Sequence, residues 1–269
     1  MNITIDLAAS LILLATTLVA LAAYATRVIF HGRARSERVE REGESLIVRK
    51  GAMETTLWVM GPIGEACVRL GITANAVTWS SLAFGLMAGV AIASAHFGVA
   101  AALAALAALG DALDGVVARA SGETSDSGAI LDAAIDRYVE LAFIGGLAFY
   151  FREHPFELCL GLCAIAGAFM VSYGSAKAEA LRVAVPRGSM RRAERVLLLV
   201  VGVGLAPIVS AVPAIAEWSD GPAVVALALI ATVGNVSAVR RLAAAARATK
   251  GLRRTGEAVA IVAVERRAS

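Results

Sequence analysis

The chain carries little charge for its length. Only 17% of its 269 residues are Asp, Glu, Lys or Arg, whereas 58% are hydrophobic, and the mean hydropathy is +0.73. A composition of this kind excludes an ordinary soluble domain. The sequence therefore indicates an integral membrane protein.

Cysteine and histidine are scarce, with three residues of each. Three cysteines offer no disulfide framework. Cys159 and Cys163 are one helical turn apart, but no nearby His or carboxylate pattern completes a zinc site. Basic residues are not interleaved with aromatic ones, so we attribute the formal net charge of +3 to membrane topology and contact with anionic lipids rather than to nucleic acid.

Uncharged runs long enough to cross a bilayer define the predicted spans. The run at 70–110 is too long for one helix, and we divide it near His96-Phe97-Gly98. A further span contains acidic residues but is otherwise apolar. Seven membrane-spanning helices are therefore predicted, at 7–26, in the two halves of 70–110, and at about 129–150, 158–176, 196–216 and 221–239.

The first apolar run has one feature of a cleaved signal peptide, because Ala23-Tyr24-Ala25 fits the A-x-A pattern. It lacks a basic segment in front, and its positive charges follow it, which predicts an uncleaved anchor with the N-terminus outside. With this orientation every basic residue except Arg152 lies on or near the cytoplasmic side, as the positive-inside rule requires.

Charge and hydropathy divide the chain into four parts and predict an all-α, polytopic fold. The second part includes an apolar stretch at 51–69 that is typical of an interfacial helix, and Pro62 is predicted to break or kink it. The parts are an N-terminal transmembrane anchor (1–31), a cytoplasmic linker with the interfacial helix (32–71), a membrane domain of six helices (72–240) and a basic cytoplasmic tail (241–269).

Four carboxylates lie in two stretches that are otherwise apolar enough to span the membrane. Asp111 and Asp114 are three residues apart and Asp132 and Asp136 are four apart, so each pair shares one face of a helix. Placing four acids at mid-membrane would cost roughly 10–14 kcal/mol without compensation. A divalent cation bound by carboxylate oxygens would offset this cost, so the spacing predicts a metal pocket between two helices.

Two other interpretations of these acids are open at the level of sequence. In one, the acids pair with Arg119 and Arg137 in a purely structural arrangement. In the other, they form a proton or cation relay in a transporter. Transporters often contain inverted repeats with broken helices at matching positions, and the sequence shows no such pairing. Glu140, one turn beyond Asp136, is interpreted as a partner for another helix.

From Asp111 to Asp136 the sequence follows the pattern D-x2-D-G-x2-A-R-x8-G-x3-D-x3-D. This pattern resembles the signature of the CDP-alcohol phosphotransferases, and every specified position is filled. The resemblance extends from Ile72 to about Arg240. It implies a membrane fold of six core helices with a cytoplasm-facing pocket, commonly a homodimer. It also implies transfer of a phosphatidyl group from CDP-diacylglycerol to a small phosphorylated alcohol, such as inositol phosphate or glycerol phosphate, with release of CMP, in phospholipid biosynthesis.

The resemblance implies a role for each carboxylate. Asp111, Asp114 and Asp132, with Asp136 as a further ligand, are expected to bind Mg²⁺ or Mn²⁺ at the donor diphosphate. Asp136 is also expected to be the general base that takes the proton from the acceptor hydroxyl.

The resemblance further implies a set of contacts to the CDP moiety. Residues 73–78 resemble the Pro-Asn-x-x-Thr start of the first core helix, with Ala74 in place of the proline. A cap of that helix is an equally open role for Asn75. The residues expected to contact the donor are Asn75, Thr78, Gly115, Arg119 and Ser125.

A second stretch resembles the branch of the family that uses inositol phosphate acceptors. Residues 172–179 match its Ser-Tyr-x-Lys-Ala-Arg-Ala-Glu pattern, except that Ser175 replaces the lysine and Lys177 replaces the arginine. Two alternatives stay open: a solvated positive-inside loop, or an unphosphorylated acceptor such as inositol or serine. The residues expected to bind the acceptor phosphate are Lys177, Arg192 and Arg195.

Overall fold

The computed structural model describes residues 3–33, 50–183 and 188–250, and in these ranges the protein is all-α, which confirms the predicted fold class. Most of the predicted linker, at 34–49, and the tail beyond residue 250 lie outside the described residues. The helices are α1 (Ile3–His31), α2 (Lys50–Arg69), α3 (Ala74–Ala93), α4 (Phe97–Ser121), α5 (Asp126–Tyr150), α6 (Pro155–Ala180), α7 (Arg192–Ser210), α8 (Gly221–Leu229) and α9 (235–250).

Between α7 and α9 the helical geometry varies. A short 3₁₀ helix, Pro213–Trp218, follows α7, and a π-helical turn, Ile230–Gly234, joins α8 to α9. Six helical segments in the described ranges are long and apolar enough to cross a membrane. They are α1, α3, α4, α6, α7 and the segment 213–250. The seventh predicted span is α5, a 25-residue helix that carries part of the acidic site.

The predicted division of the long apolar run is confirmed. α3 ends at Ala93 and α4 begins at Phe97. Between them Ala95 has a φ of 62°, a left-handed conformation that turns the chain back into the bundle.

The start of α3 differs from one sequence prediction. The side chain of Thr73 accepts a hydrogen bond from Ala76 N at 3.3 Å and caps the helix. The alternative in which Asn75 caps this helix is therefore wrong. Because the helix begins at Ala74, Asn75 already lies in its first turn, where its side chain is exposed.

α2 is one continuous helix through Pro62. Of the two outcomes predicted for this proline, a break or a kink, the break is therefore wrong. The helix is held by packing on both sides of the proline. Met60 is buried, and Gly64 lies so close to α4 that an added Cβ would be 2.5 Å from Val116 Cγ1. These contacts support the helix where the proline removes a backbone hydrogen bond.

Close packing of small residues holds both acid-bearing helices against α3. α3 contacts both α4 and α5. It approaches α5 so closely that a Cβ added to Gly146 would lie 2.5 Å from the carbonyl oxygen of Gly89. Membrane helices use small residues for such approaches because lipid provides little hydrophobic force between them. α3 therefore fixes the spacing between the two helices that carry the four aspartates.

A buried carboxylate docks α1 onto the start of α4. Asp6 is fully buried, and its Oδ1 accepts hydrogen bonds from Gly98 N at 3.0 Å and Val99 N at 3.2 Å. Its Oδ2 lies 3.1 Å from His96 Nδ1. Two of the N–H groups that a helix start leaves unpaired are thus satisfied from another helix. Sequence analysis did not identify this partner for His96.

Candidate active site

Three carboxylates converge between α4 and α5. One oxygen each of Asp111, Asp114 and Asp132 lies within 4.8 Å of the other two. Asp111 and Asp114 come from the second half of α4, and Asp132 comes from the first half of α5. Gly122, with a φ of 73°, ends α4, so that only a short loop separates the helices. The predicted metal pocket is therefore brought together by a helix–loop–helix unit.

The cluster fits a hard divalent cation. All its donor atoms are carboxylate oxygens, which Mg²⁺ and Mn²⁺ prefer. Asp132 Oδ1 is buried and has no hydrogen-bond partner among the described residues, so it is free to bind a cation. Thr78 Oγ1 donates a hydrogen bond of 2.7 Å to Asp114 Oδ2. Such a bond from outside the ligand set fixes the orientation of a ligand.

The fourth carboxylate, Asp136, is buried one helical turn beyond Asp132 and faces a different partner. Its Oδ1 lies 2.6 Å from Nη2 of Arg192, and Nη1 of the same guanidinium lies 2.6 Å from Asp111 Oδ1. Arg137 Nη1 is farther away, 3.9 Å from Asp136 Oδ2. Of these two arginines, Arg192 from α7 therefore contacts the cluster more closely than Arg137 does.

The residues predicted to contact the CDP moiety lie around the same helix ends. Ser125 caps α5 by accepting a hydrogen bond from Gly128 N at 3.1 Å. A Cβ added to Gly128 would be 3.1 Å from Ser125 Oγ and 3.8 Å from Asn75 Oδ1, so the start of α3 lies next to the start of α5. Gly115 and Arg119 follow Asp111 by one and two turns on the same face of α4.

The three residues predicted to bind the acceptor phosphate do not form one basic surface. Lys177 is exposed near the end of α6, and Arg192 contacts the aspartates. Arg195 is fully buried. Its Nε and Nη2 donate to the two oxygens of Glu140 at 2.5 and 2.8 Å, and its Nη1 donates to Met190 O at 2.5 Å.

These contacts bear on two sequence interpretations. The prediction of an acceptor contact for Arg195 does not fit its burial, because its guanidinium is turned into the helix interface. The interpretation of Glu140 as a partner for another helix is confirmed.

Sequence analysis missed Arg241 on α9. This largely buried side chain donates to Ser175 Oγ at 2.7 Å, and its Nη2 donates to Gly188 O at 3.1 Å and Ser189 O at 3.3 Å. Ser175 occupies the position at which the acceptor pattern has a lysine. The missing lysine at position 175 could have indicated that another basic residue lies there. The sequence did not indicate that this residue is Arg241.

Comparison with known proteins agrees with this geometry. The family described as CDP-alcohol phosphatidyltransferase matches residues 71–230. The phosphatidylinositol phosphate synthase of Cutibacterium acnes is 30% identical over 194 residues, which cover 71% of this chain and 93% of that protein. The enzyme of the same name from Mycobacterium tuberculosis is 31% identical over 192 residues, covering 67% of this chain and 82% of that protein.

Solved structures give the same result. The crystal structure of Mycobacterium tuberculosis phosphatidylinositol phosphate synthase (PgsA1) with CDP-DAG bound superposes with a TM-score of 0.61 at 25% identity, covering 70% of this chain and 93% of that one. The structure of the same enzyme in complex with manganese and citrate also has a TM-score of 0.61, at 26% identity, and covers 69% and 88% of the two chains.

Proposed function

This chain belongs to the CDP-alcohol phosphatidyltransferase family and is an enzyme of that class, and from that premise we propose that it makes a phospholipid from CDP-diacylglycerol and inositol phosphate. The observation that carries the proposal is the convergence of three aspartates, with a fourth held separately one turn away. Membership in an enzyme family also sets aside the interpretation of the acids as a transporter relay.

The family uses Mg²⁺ or Mn²⁺, and in this proposal Asp111, Asp114 and Asp132 hold the ion. When bound, the metal neutralises charge on the donor diphosphate and on the departing CMP. Thr78 keeps the Asp114 carboxylate in place through its 2.7 Å hydrogen bond. Thr78 thus contributes to donor binding indirectly, by orienting the metal ligand Asp114. The other residues assigned to the CDP moiety of the donor are Asn75, Gly115, Arg119 and Ser125.

Asp136 acts as the general base. Its carboxylate accepts the proton of the acceptor hydroxyl while that oxygen forms a new bond to the phosphorus of the phosphatidyl group. The bond from this phosphorus to the bridging oxygen breaks, and CMP leaves with the electron pair. General base catalysis by a positioned carboxylate typically contributes about 10²–10⁴-fold to the rate.

A phosphorylated acceptor fits the cations on the adjacent helices. Lys177 is exposed near the end of α6, and Arg241 holds Ser175 on the same helix at 2.7 Å. We assign the acceptor phosphate to Lys177. Arg241, which donates to Ser175 Oγ, supplies a positive charge at the position where the family pattern has a lysine. The names of the relatives support inositol phosphate as the first candidate.

The active site is proposed to face the cytoplasm, with the N-terminus outside. Asp6 and His96 lie at one end of the bundle together with Tyr150, whose ring is 4.7 Å from that of Phe97. Arg152 follows directly at that end. Lys177, Arg119 and Arg192 lie toward the opposite end, which the positive-inside rule assigns to the cytoplasm. We further propose the membrane domain at 72–240 as the catalytic unit and a homodimer as its assembly.

The test is release of CMP by the full chain purified in detergent. CDP-diacylglycerol and Mn²⁺ are supplied with inositol phosphate, glycerol phosphate, inositol or serine in separate reactions. The expected result is CMP release that depends on acceptor and is fastest with inositol phosphate. The Asp132→Asn variant should be inactive, and Asp126→Asn, which removes an exposed carboxylate from the same helix, should match the wild type. Faster turnover with inositol or serine would overturn the choice of acceptor. No CMP release with any acceptor would overturn the function.

A further inference from the structure

One arginine joins the metal ligands to the proposed base. The guanidinium of Arg192, the first residue of α7, spans from Asp111 on α4 to Asp136 on α5, with both N···O distances at 2.6 Å. The two nitrogens that reach the carboxylates are the two Nη atoms. Arg192 Nε is buried without a hydrogen-bond partner in the described part of the chain. The side chain is therefore directed at the aspartates rather than at an incoming phosphate.

A second ion pair between the same two helices lies one turn from this arginine. Arg195 is three residues after Arg192 on α7, and Glu140 is four residues after Asp136 on α5, so each set is one helical turn apart. Arg195 and Glu140 form a fully buried ion pair with two hydrogen bonds. This pair links α7 to α5 one helical turn from the contact between Arg192 and Asp136. The Arg192 side chain, 23% exposed, lies nearer the open side of the interface.

We propose that Arg192 is a positioning residue that keeps Asp136 out of the metal's coordination and available as the base. This inference rests on the proposed function. The four aspartates lie in pairs about one helical turn apart on α4 and α5. Without Arg192, all four could bind the same cation. A guanidinium often binds one carboxylate through two directional N–H groups. In this site one Nη atom of Arg192 contacts Asp111 and the other contacts Asp136. Asp136 lies outside the group of three converging aspartates, whereas Asp111, which Arg192 contacts at the same 2.6 Å, belongs to it.

Removing Arg192 should therefore have opposite effects on metal binding and on turnover. In Arg192→Gln, Asp136 is released toward the cation and Asp111 no longer shares its charge. Mn²⁺ should bind about three- to tenfold more tightly, because a competing positive charge is lost beside the ligands. The kcat should fall by about 10- to 100-fold, the size typical for loss of a residue that orients a site. The KM values for both substrates should change little.

The experiment measures Mn²⁺ affinity by electron paramagnetic resonance, and kcat and both KM values by CMP release, on the full chain in detergent. Arg240→Gln, which removes an exposed arginine from α9, is the matched control and should resemble the wild type. Arg192→Lys keeps a positive charge and supports folding, but one ammonium cannot span both carboxylates, so its kcat should also fall. In Asp136→Asn/Arg192→Gln the kcat should be no lower than in Asp136→Asn alone, because Arg192 acts through Asp136.

Several results would overturn this role. Weaker Mn²⁺ binding in Arg192→Gln would make the arginine a support of the metal site only. A higher KM for the acceptor with unchanged kcat would return Arg192 to the acceptor phosphate, as the sequence first predicted. Additive losses in the double variant would separate Arg192 from Asp136. A wild-type chain that releases no CMP overturns the proposed function, whereas the Mn²⁺ comparison still reports on Arg192.

Discussion

Replacing Arg195 by Met tests whether this arginine supports the fold or binds the acceptor. Arg195 and Glu140 are buried to 0% and 1% exposure of their side chains. The guanidinium makes three hydrogen bonds, two to Glu140 and one to Met190 O. Removing one partner leaves the Glu140 carboxylate buried and unpaired, which typically costs about 3–5 kcal/mol. Arg195→Met should therefore unfold at a markedly lower temperature than the wild type.

The matched control removes both charges. Replacing a buried ion pair by apolar residues of similar volume is often neutral, so Glu140→Leu/Arg195→Met should recover most of the lost stability. Thermal unfolding in detergent measures both variants, and CMP release measures the acceptor KM. In the double variant that KM should stay within about threefold of the wild type, since a residue with no acceptor contact does not contribute to uniform binding. A stable Arg195→Met protein with a strongly raised acceptor KM would refute this reasoning.

Three further predictions address the metal, the base and the docking of α1. Asp111→Asn should lose Mn²⁺ binding and turnover together, and full activity of the wild type in excess EDTA would contradict a metal-dependent reaction. Asp136→Asn should reduce kcat by about 10²–10⁴-fold while CDP-diacylglycerol still binds, as measured by equilibrium binding; loss of donor and Mn²⁺ affinity would make it chiefly a ligand. Asp6→Ala should cost about 1–3 kcal/mol by leaving two buried N–H groups unpaired, measured as a lower unfolding temperature relative to the exposed-site control Glu153→Gln, and an unchanged temperature would show that the docking contact is unimportant.

Hydropathy and residue spacing predicted the features that are determined within a single helix, namely the membrane spans and the helix faces that carry the aspartates. The apolar runs gave the spans, and the i, i+3 and i, i+4 spacings placed the aspartates on facing sides of α4 and α5. The signature from Asp111 to Asp136 then predicted a divalent metal ion, because it resembles that of a family of metal-dependent enzymes.

Contacts between distant helices were not predictable in this way. Arg192 and Arg195 occupy neighbouring turns of α7, and the sequence assigns both to a phosphate. Their actual partners depend on how α7 is rotated against α5, which hydropathy does not determine. The same limit applies to Arg241, whose partner Ser175 is 66 residues away. The choice between Thr73 and Asn75 as the N-cap of α3 was also not predictable. Both residue types cap helices well, and the backbone conformation at the start of the helix determines which one does so.

The docking of α1 through Asp6 has a consequence for the biogenesis of the protein. Asp6 precedes its partner Gly98 by 92 residues, so during synthesis α1 reaches the translocon long before the amide groups that receive its carboxylate exist. Until α4 has been synthesised, the Asp6 carboxylate lacks the two amide groups of α4 that donate to it. Because α3 lies between α1 and α4 in the chain, α1 and α4 can pack together only after α3 has also been made. Helix α1, which lies outside the matched family segment, is therefore made before α4 but can dock only after α4 has been made.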